Sequence, residues 1–354
     1  AWCGIYFEDA ASNPLCFAHN LYLNDEHVDY LQIPEDVTNI GQYAFYHCNM
    51  ISADIPANVR TISTQAFYGT QLRQVTLAEG LQEIGYRAFE SSHLQSVTLP
   101  DSLTIMSGNA FANCADLETV HIGAGLTTIS WFAFANAGLK KVTLPTNIAS
   151  VEGSAFRDCQ YLTEVIFEND AINIGYSAFY GCPLRALDLG ANATIDASAF
   201  QGTAMTTVTM PENITDITYR SFAYCENLIS VVIPESVQSI NTYAFEGDYN
   251  LHHVLYKGDQ AQWDALGVDS AELINANLHL NAKGDEIAII DSCYEVQHYC
   301  AICDVWETVK KSIPTHNFVG DVCEDCGAVA NWDYSILEDG SAVIFGYHGD
   351  QLDI

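Results

Sequence analysis

The chain has few basic residues. Twelve lysines and arginines stand against 45 aspartates and glutamates in 354 residues, which gives a net charge of −33. Such an acidic surface repels phosphate backbones and anionic lipids, so nucleic acid and membrane surfaces are excluded as natural partners. The same charge favours a soluble monomer. No apolar run reaches the ~18 residues that a transmembrane helix needs.

The chain also lacks a recognisable targeting segment. Its first residues, AWCGIYFEDA, have neither the basic nor the apolar region of a signal peptide. Two alternatives follow: an intracellular protein, or a mature or excised segment of a longer secreted one. The final residues, Leu352, Asp353 and Ile354, resemble the start of a further repeat strand. We therefore expect the chain to be part of a longer protein.

Motifs of catalysis are absent as well. The sequence contains no nucleophile elbow, no phosphate-binding loop and no H-E-x-x-H pair, and its 11 histidines share no common phase. Gly123 and Gly125 lack the third glycine of a dinucleotide-binding loop. No catalytic residue is predicted, and an enzyme is the least favoured of three function classes, after a binding scaffold and a structural spacer.

What the sequence does contain is a repeat centred on an Ala-Phe step. Phenylalanine recurs every 21–23 residues, preceded by alanine except at Ser221, and an aliphatic residue or methionine stands five residues earlier. Each unit continues as L-x-x-V-x-L, often followed by proline. The repeat phenylalanines are Phe45, Phe67, Phe89, Phe111, Phe134, Phe156, Phe179, Phe200, Phe222 and Phe245.

This period and pattern predict a leucine-rich-repeat solenoid, mainly β, of about ten coils of 22–23 residues. Because an open solenoid end exposes apolar core, atypical segments should cap both ends. The predicted organisation is an N-terminal cap (1–30), the solenoid (31–256), a C-terminal cap with a short helix and a final strand (257–282), a cysteine-rich module (283–332) and a β-hairpin around Asp339 and Gly340 that begins a further module (333–354).

Residues that alternate with the buried ones should form rows on the outer face of the sheet. Threonine suits a solvated strand, and a bare, solvated sheet is one interpretation. The other is a binding face, because solenoid sheets present long surfaces to partners. The candidate binding residues are Thr76, Thr98, His121, Thr143, Ile166, Asp188, Thr209, Val232, Leu255 and His253.

Cysteines within the repeat share one phase. Cys48, Cys114, Cys159, Cys182 and Cys225 each follow a repeat phenylalanine by three residues, which indicates small buried side chains in the wall. Only Cys159 and Cys182 lie in neighbouring coils, so a disulfide between them is an alternative. A bridge between Cys3 and Cys16 in the N-terminal cap is also open.

Four of the five remaining cysteines form two C-x2-C pairs. Cys300 and Cys303 are separated by 19 residues from Cys323 and Cys326. Each tight knuckle points two thiolates at one ion, so this spacing predicts a zinc-ribbon-like module with one structural Zn²⁺. Four thiolates leave no open coordination position for catalysis. Two disulfides, or four reduced thiols, are the alternatives.

The motif VxLPxxLxxIGxxAFxxCxxL resembles the BspA-like leucine-rich repeats of bacterial cell-surface proteins, over roughly residues 28–282. The terminal segments also resemble companion pieces found in such proteins from gut anaerobes. The resemblance implies a secreted or surface-anchored protein that adheres to host or microbial surface and matrix proteins. The expected function is therefore a non-catalytic adhesion scaffold, with a spacer that holds other modules off the cell surface as the alternative.

Overall fold

A computed structural model describes residues 2–283 apart from Tyr6 and Asn24, and beyond them seven strands between residues 287 and 347. The chain divides into two units, Ala1–Leu280 and Asn281–Ile354. The first unit is a parallel β-solenoid. Ten of its coils carry a repeat phenylalanine, and two further strands, His253–Tyr256 and Asn277–His279, follow the last of them.

The first strand of each coil lies on one side of the stack, in parallel register with its neighbours. Val97 stands opposite Val120, and Val142 opposite Val165. The row is divided into four hydrogen-bonded sheets, and the coil at residues 183–190 forms no strand. The first strands are Tyr30–Gln32, Ser52–Ile55, Gln74–Leu77, Ser96–Thr98, Thr119–His121, Lys141–Leu144, Glu164–Phe167, Thr207–Thr209, Ser230–Ile233, His253–Tyr256 and Asn277–His279.

A second, two-residue strand follows in each coil and ends on the aliphatic residue or methionine five positions before the phenylalanine, which is buried in every coil but the last. These strands also pair in parallel, for example Ile62 with Ile84. They are Asn39–Ile40, Thr61–Ile62, Glu83–Ile84, Ile105–Met106, Thr128–Ile129, Ser150–Val151, Asn173–Ile174, Thr194–Ile195, Asp216–Ile217 and Ser239–Ile240.

The Ala-Phe step builds the third side of the coil, which consists of turns. The backbone amide of each repeat phenylalanine from Phe45 to Phe222 donates to the carbonyl of the residue before the next one, at 2.8–3.0 Å. All ten rings are fully buried. They stack nearly parallel, with neighbouring centroids 5.1–5.8 Å apart. The predicted central role of phenylalanine is confirmed, and the step also carries a backbone ladder.

Tight turns flank the ladder at two positions in most coils. The residues two before and two after the phenylalanine adopt left-handed backbone, as at Arg87 (φ 57°) and Asn113 (φ 58°). Glycine takes the second place at Gly69 and Gly181. Asparagine and glycine recur there because they tolerate positive φ at low cost.

The N-terminal cap replaces the coil that would precede the first one. In the later coils, the carbonyl before each repeat phenylalanine accepts from the amide of the previous repeat phenylalanine. At the corresponding Ala44 carbonyl, the Trp2 indole N–H is the donor, at 2.6 Å. Fully buried Asn13 donates to the Tyr43 carbonyl beside it. The cap also contains 3-10 turns at Trp2–Gly4 and Ala10–Ser12, helix α1 (Leu15–Ala18), and a small hairpin of Tyr22–Leu23 with Glu26–His27.

The C-terminal cap contains helix α2 (Gln260–Leu266) and helix α3 (Ala271–Asn275) before the last strand. Asp259 begins α2 with a capping box to Gln262, and Gly267 ends it in left-handed backbone. Trp263 packs on buried Tyr256, with ring centroids 5.2 Å apart. A helix and a final strand therefore lie in this segment, as expected from the sequence, and α3 is an additional helix between them.

The described residues of the second unit form seven strands. Ile287–Asp291, Val296–Cys300 and Val305–Val309 form an antiparallel sheet, and Phe318–Val319 pairs with Val322–Cys323. Trp332–Ile336 pairs antiparallel with Ala342–Tyr347, and these strands precede and follow Asp339 and Gly340 in the sequence.

Candidate functional site

The sheet face is the outer side of the first-strand row between Thr76 and Thr209. Of the predicted binding residues there, Thr143 is half-buried and six are exposed: Thr76, Thr98, His121, Ile166, Asp188 and Thr209. Strand register places His121 opposite Thr98 and Thr143 opposite Ile166. Asp188 belongs to the coil without a strand. This part of the prediction yields a polar row with one exposed aliphatic residue.

The three remaining candidates do not lie on an open surface. Val232, Leu255 and His253 are only 6%, 1% and 1% exposed. The His253 ring stacks on His279 of the last strand, and Nδ1 of His253 lies 2.9 Å from Nε2 of His279. Burying an apolar side chain such as valine or leucine lowers the free energy of the folded protein. This favours covering the outward positions at this end of the sheet. The expectation that these residues face a partner in solvent is wrong.

A second surface runs along the turn side of the stack, and we call it the turn groove. It comprises the residues six, four and three positions before each repeat phenylalanine. The first column, polar except for Ile105, forms one wall, the second forms the floor, and the third forms the other wall. At the N-terminal end these columns line an open cleft, with Asn39, Thr61 and Glu83 from the first, Gly41, Ser63, Gly85 and Ser107 from the second, and Gln42, Thr64 and Tyr86 from the third.

Between Tyr86 and Tyr219 the third column alternates large rings with small residues, and we call this part the aromatic column. Its aromatic members are 43–58% exposed and occur in every second coil. Glycine or alanine occupies the coils between them. In chain order the column reads Tyr86, Gly108, Trp131, Gly153, Tyr176, Ala197 and Tyr219.

The small residues make room for the rings. A Cβ atom at Gly153 would lie 3.8 Å from the six-membered ring of Trp131, so the indole rests across the neighbouring coil. The rest of Trp131 stays open, at 58% exposure. Arginines orient two other rings: the Arg87 guanidinium lies 5.0 Å from the Tyr86 centroid, and that of Arg220 lies 5.1 Å from Tyr219.

The repeat cysteines form a buried column beneath the turns. Each thiol from Cys114 onwards donates to the carbonyl of the preceding coil's phenylalanine, at 3.0–3.3 Å. Thr70 and Thr203 occupy the same position and donate to their own coil's phenylalanine carbonyl at 3.0 Å. Cys159 and Cys182, and also Cys3 and Cys16, are free thiols. The small buried role is confirmed, and neither alternative bridge forms.

Burial controls the electrostatics of this column. It raises the pKa of the Cys114 thiol to about 11 and that of Cys225 to about 12. The last member is Asp248, which is 1% exposed. Burial, with a smaller contribution from Glu272, raises the pKa of Asp248 to about 9. These groups are sealed inside the wall, so they are structural and do not meet a partner.

The predicted zinc ligands lie outside the described side chains. The backbones of Cys300 and Cys323 end two strands, Val296–Cys300 and Val322–Cys323. Cys303 and Cys326 fall outside the described residues altogether. The zinc site and its two alternatives therefore stay predictions.

Within the described part of the chain, no three histidine, cysteine or acidic side chains cluster as metal ligands would. None of the helices described is both long and apolar enough to cross a membrane.

The repeat can now be compared with known proteins. The model of the BspA type leucine rich repeat region matches residues 18–137 and 127–252, in six copies. The chain belongs to this family. No protein of curated function matches it.

Solved structures similar to this BspA-type chain come from several bacteria. A leucine rich cell surface protein from Faecalibacterium prausnitzii is 21% identical, with 69% of this chain and 91% of that one covered and a TM-score of 0.33. The pneumococcal vaccine antigen PcpA is 17% identical, with coverage of 75% and 83% and a TM-score of 0.41. A leucine-rich repeat protein from Eubacterium ventriosum is 17% identical, with coverage of 72% and 78% and a TM-score of 0.44.

The BspA-type pattern accounts for the core but leaves the turn groove unexplained. The outward sheet positions do not predict this groove, because its aromatic residues lie three positions before the repeat phenylalanine. The signal was present there, because Tyr86, Trp131, Tyr176 and Tyr219 recur at every second unit.

Proposed function

We propose that the chain is a non-catalytic adhesion scaffold of a bacterial cell surface, and that a protein partner docks on the sheet face. The observation that carries this proposal is the exposed row from Thr76 to Thr209. Most of its side chains lie outside the buried core, and parallel strands pair Thr98 with His121 and Thr143 with Ile166 across neighbouring coils. A stack supported by ten buried rings presents this row without rearrangement.

Chemistry favours a polar, basic partner surface. Thr98 and Thr143 offer hydroxyl groups, and a typical protein interface is about as polar as the rest of the surface. Two ion pairs extend the face across neighbouring coils: Lys140 lies 2.8 Å from Glu118, and Lys141 lies 2.7 Å from Glu164. With a net charge of −33, long-range attraction speeds the approach of a basic protein and slows that of an acidic one.

Location at the cell surface rests on the family resemblance and is part of the proposal. The absence of catalysis also rests on the family resemblance and is part of the proposal. A spacer remains the competing function, because a bare polar sheet is also what a spacer presents.

The test uses the full chain and purified extracellular-matrix and bacterial surface proteins immobilised on a biosensor. We expect saturable binding to one of them that the double variant Thr98→Arg/Thr143→Arg abolishes. The matched control is Thr104→Arg/Thr127→Arg, which makes the same change at positions outside the sheet face. If no purified protein binds, or if both variants bind equally well, the sheet face is not the docking site and the spacer function is favoured.

A further inference from the structure

The turn groove combines two features that the fold itself does not require. Four large aromatic side chains stay about half exposed, although burial would have been favourable. They also skip alternate coils, although every coil offers an equivalent position. A solenoid that only needed a solvated turn side would carry polar residues there.

The opposite wall supplies hydrogen-bonding groups along the same path. Its members are the outer residues of the second strands, and most carry a hydroxyl, amide or carboxylate. Several pair along the wall: Thr194 donates to Asn173 at 2.8 Å, and Ser63 on the floor donates to Asn39 at 3.0 Å. In chain order the wall reads Asn39, Thr61, Glu83, Ile105, Thr128, Ser150, Asn173, Thr194, Asp216 and Ser239.

An occupant of this groove must be long, present an apolar face at a fixed interval and carry many polar groups beside it. Sugar rings meet these conditions, because their axial C–H groups stack on aromatic rings while their hydroxyl groups bond to polar side chains. An extended β-1,4-linked polysaccharide presents the same face once per disaccharide, at an interval close to two coils. The net charge of −33 disfavours an acidic polysaccharide.

The spacing argues against the nearest alternative, a proline-rich peptide. The buried repeat phenylalanine rings beneath the aromatic column have centroids 5.2–5.6 Å apart. Positions two coils apart in the aromatic column are therefore separated by about twice that distance. One turn of a polyproline II helix advances only ~9.3 Å. Such a peptide would fall out of step with Tyr86, Trp131, Tyr176 and Tyr219 before reaching the fourth ring.

We propose that the turn groove binds an extended neutral β-1,4-linked polysaccharide, with Tyr86, Trp131, Tyr176 and Tyr219 as stacking platforms. This site is separate from the sheet face, so it adds a second ligand class to the protein partner proposed above. Trp131 is the central platform because it offers the largest ring and lies between two glycine-bearing coils.

The experiment is calorimetric titration of the full chain with cellohexaose, xylohexaose and chitohexaose, and with the corresponding disaccharides. We expect at least one hexasaccharide to bind, and its disaccharide to bind much more weakly because it reaches one platform. Trp131→Ala should weaken binding by about tenfold or more, and Trp131→Phe should restore part of it. Tyr161→Ala, which removes an exposed ring elsewhere, should change nothing.

The proposal is overturned if none of the hexasaccharides binds, if binding is insensitive to Trp131→Ala, or if a proline-rich peptide binds at Trp131 in place of sugar. Protein binding by Trp131→Ala, measured on the biosensor, should equal that of the wild type, so loss of this site and loss of the sheet-face function can be told apart. Equal melting temperatures for wild type and Trp131→Ala exclude unfolding as the cause.

Discussion

Asp248 Oδ1 accepts a hydrogen bond from the backbone amide of Cys225 at 2.6 Å, across the last two coils of the buried column. Its second oxygen, Oδ2, is buried and meets no hydrogen-bond donor among the described residues. An ionised carboxylate is unfavourable in this position, which is why its pKa lies at about 9.

Replacing Asp248 by asparagine should therefore stabilise the solenoid at neutral pH. Between the ~3.9 of an unfolded aspartate and about 9, the folded protein holds a proton that the unfolded chain has released. Stability of the wild type should then fall as pH rises through this window. We expect Asp248→Asn to gain about 1–3 kcal/mol at pH 8 and nothing near pH 4.

Thermal melts of both proteins from pH 4 to pH 9 provide the measurement. The control is Glu226→Gln, which removes an exposed acidic group and should leave the melting temperature unchanged. A constant difference between wild type and Asp248→Asn at every pH would show that the carboxyl group does not titrate as described.

The phenylalanine stack should dominate stability. Phe134 is fully buried between Phe111 and Phe156, at centroid distances of 5.6 and 5.4 Å. Phe134→Ala leaves a cavity between coils and should cost about 3–5 kcal/mol. Thr143→Ala on the sheet face should be nearly neutral. Denaturant unfolding of both variants checks this, and equal shifts would contradict the inward and outward assignment.

The burial of the repeat phenylalanines was predictable from sequence, because phenylalanine recurs with one period and has the same role in every coil. Trp2 shows where that reasoning stops. Its indole N–H donates to the Ala44 carbonyl, where later coils use the backbone amide of the preceding repeat phenylalanine. A repeat pattern cannot predict a donor that occurs only once in the chain. Likewise, Val232 and Leu255 share the phase of exposed Thr209, so periodicity alone could not show that they are buried.

The aromatic column was readable in the sequence but had no assigned role. The residue type at the repeat position of Tyr86 and Tyr219 changes from coil to coil between an aromatic residue and glycine or alanine. A position that varies in this way usually indicates a solvated surface. The structure shows that polar second-strand residues line one cleft together with the first ring, Tyr86, at the N-terminal end of the turn side. Periodicity thus predicted the core, and side-chain exposure was needed to find the candidate ligand surface.

Thiol reactivity should follow burial. The thiolate is the reactive form, and the pKa of Cys225 is raised to about 12 inside the wall. Iodoacetamide at pH 8 should therefore label half-buried Cys16 in the native protein, and leave Cys114 and Cys225 unmodified. Mass spectrometry of peptides gives the pattern, with denatured protein as the fully labelled control. Comparable native labelling of all three would refute the buried column.

The two C-x2-C pairs should hold one Zn²⁺ through Cys300, Cys303, Cys323 and Cys326. Since such a segment obtains folding free energy from the metal, a chelator should unfold residues 293–330 and leave the melting transition of the solenoid unchanged. Metal analysis and hydrogen exchange before and after chelation make the measurement. A zinc content near zero with four oxidised cysteines would establish the disulfide alternative, and unchanged exchange protection after zinc removal would exclude a structural role.

The central claim is that one rigid stack offers two independent binding faces. It is tested most directly by measuring both ligands, the sheet-face protein and a hexasaccharide, against both variants, Thr98→Arg/Thr143→Arg and Trp131→Ala. The account predicts a reciprocal result: the threonine variant loses only the protein, and the tryptophan variant loses only the sugar. Loss of both ligands in either correctly folded variant, or of neither in both, would contradict it.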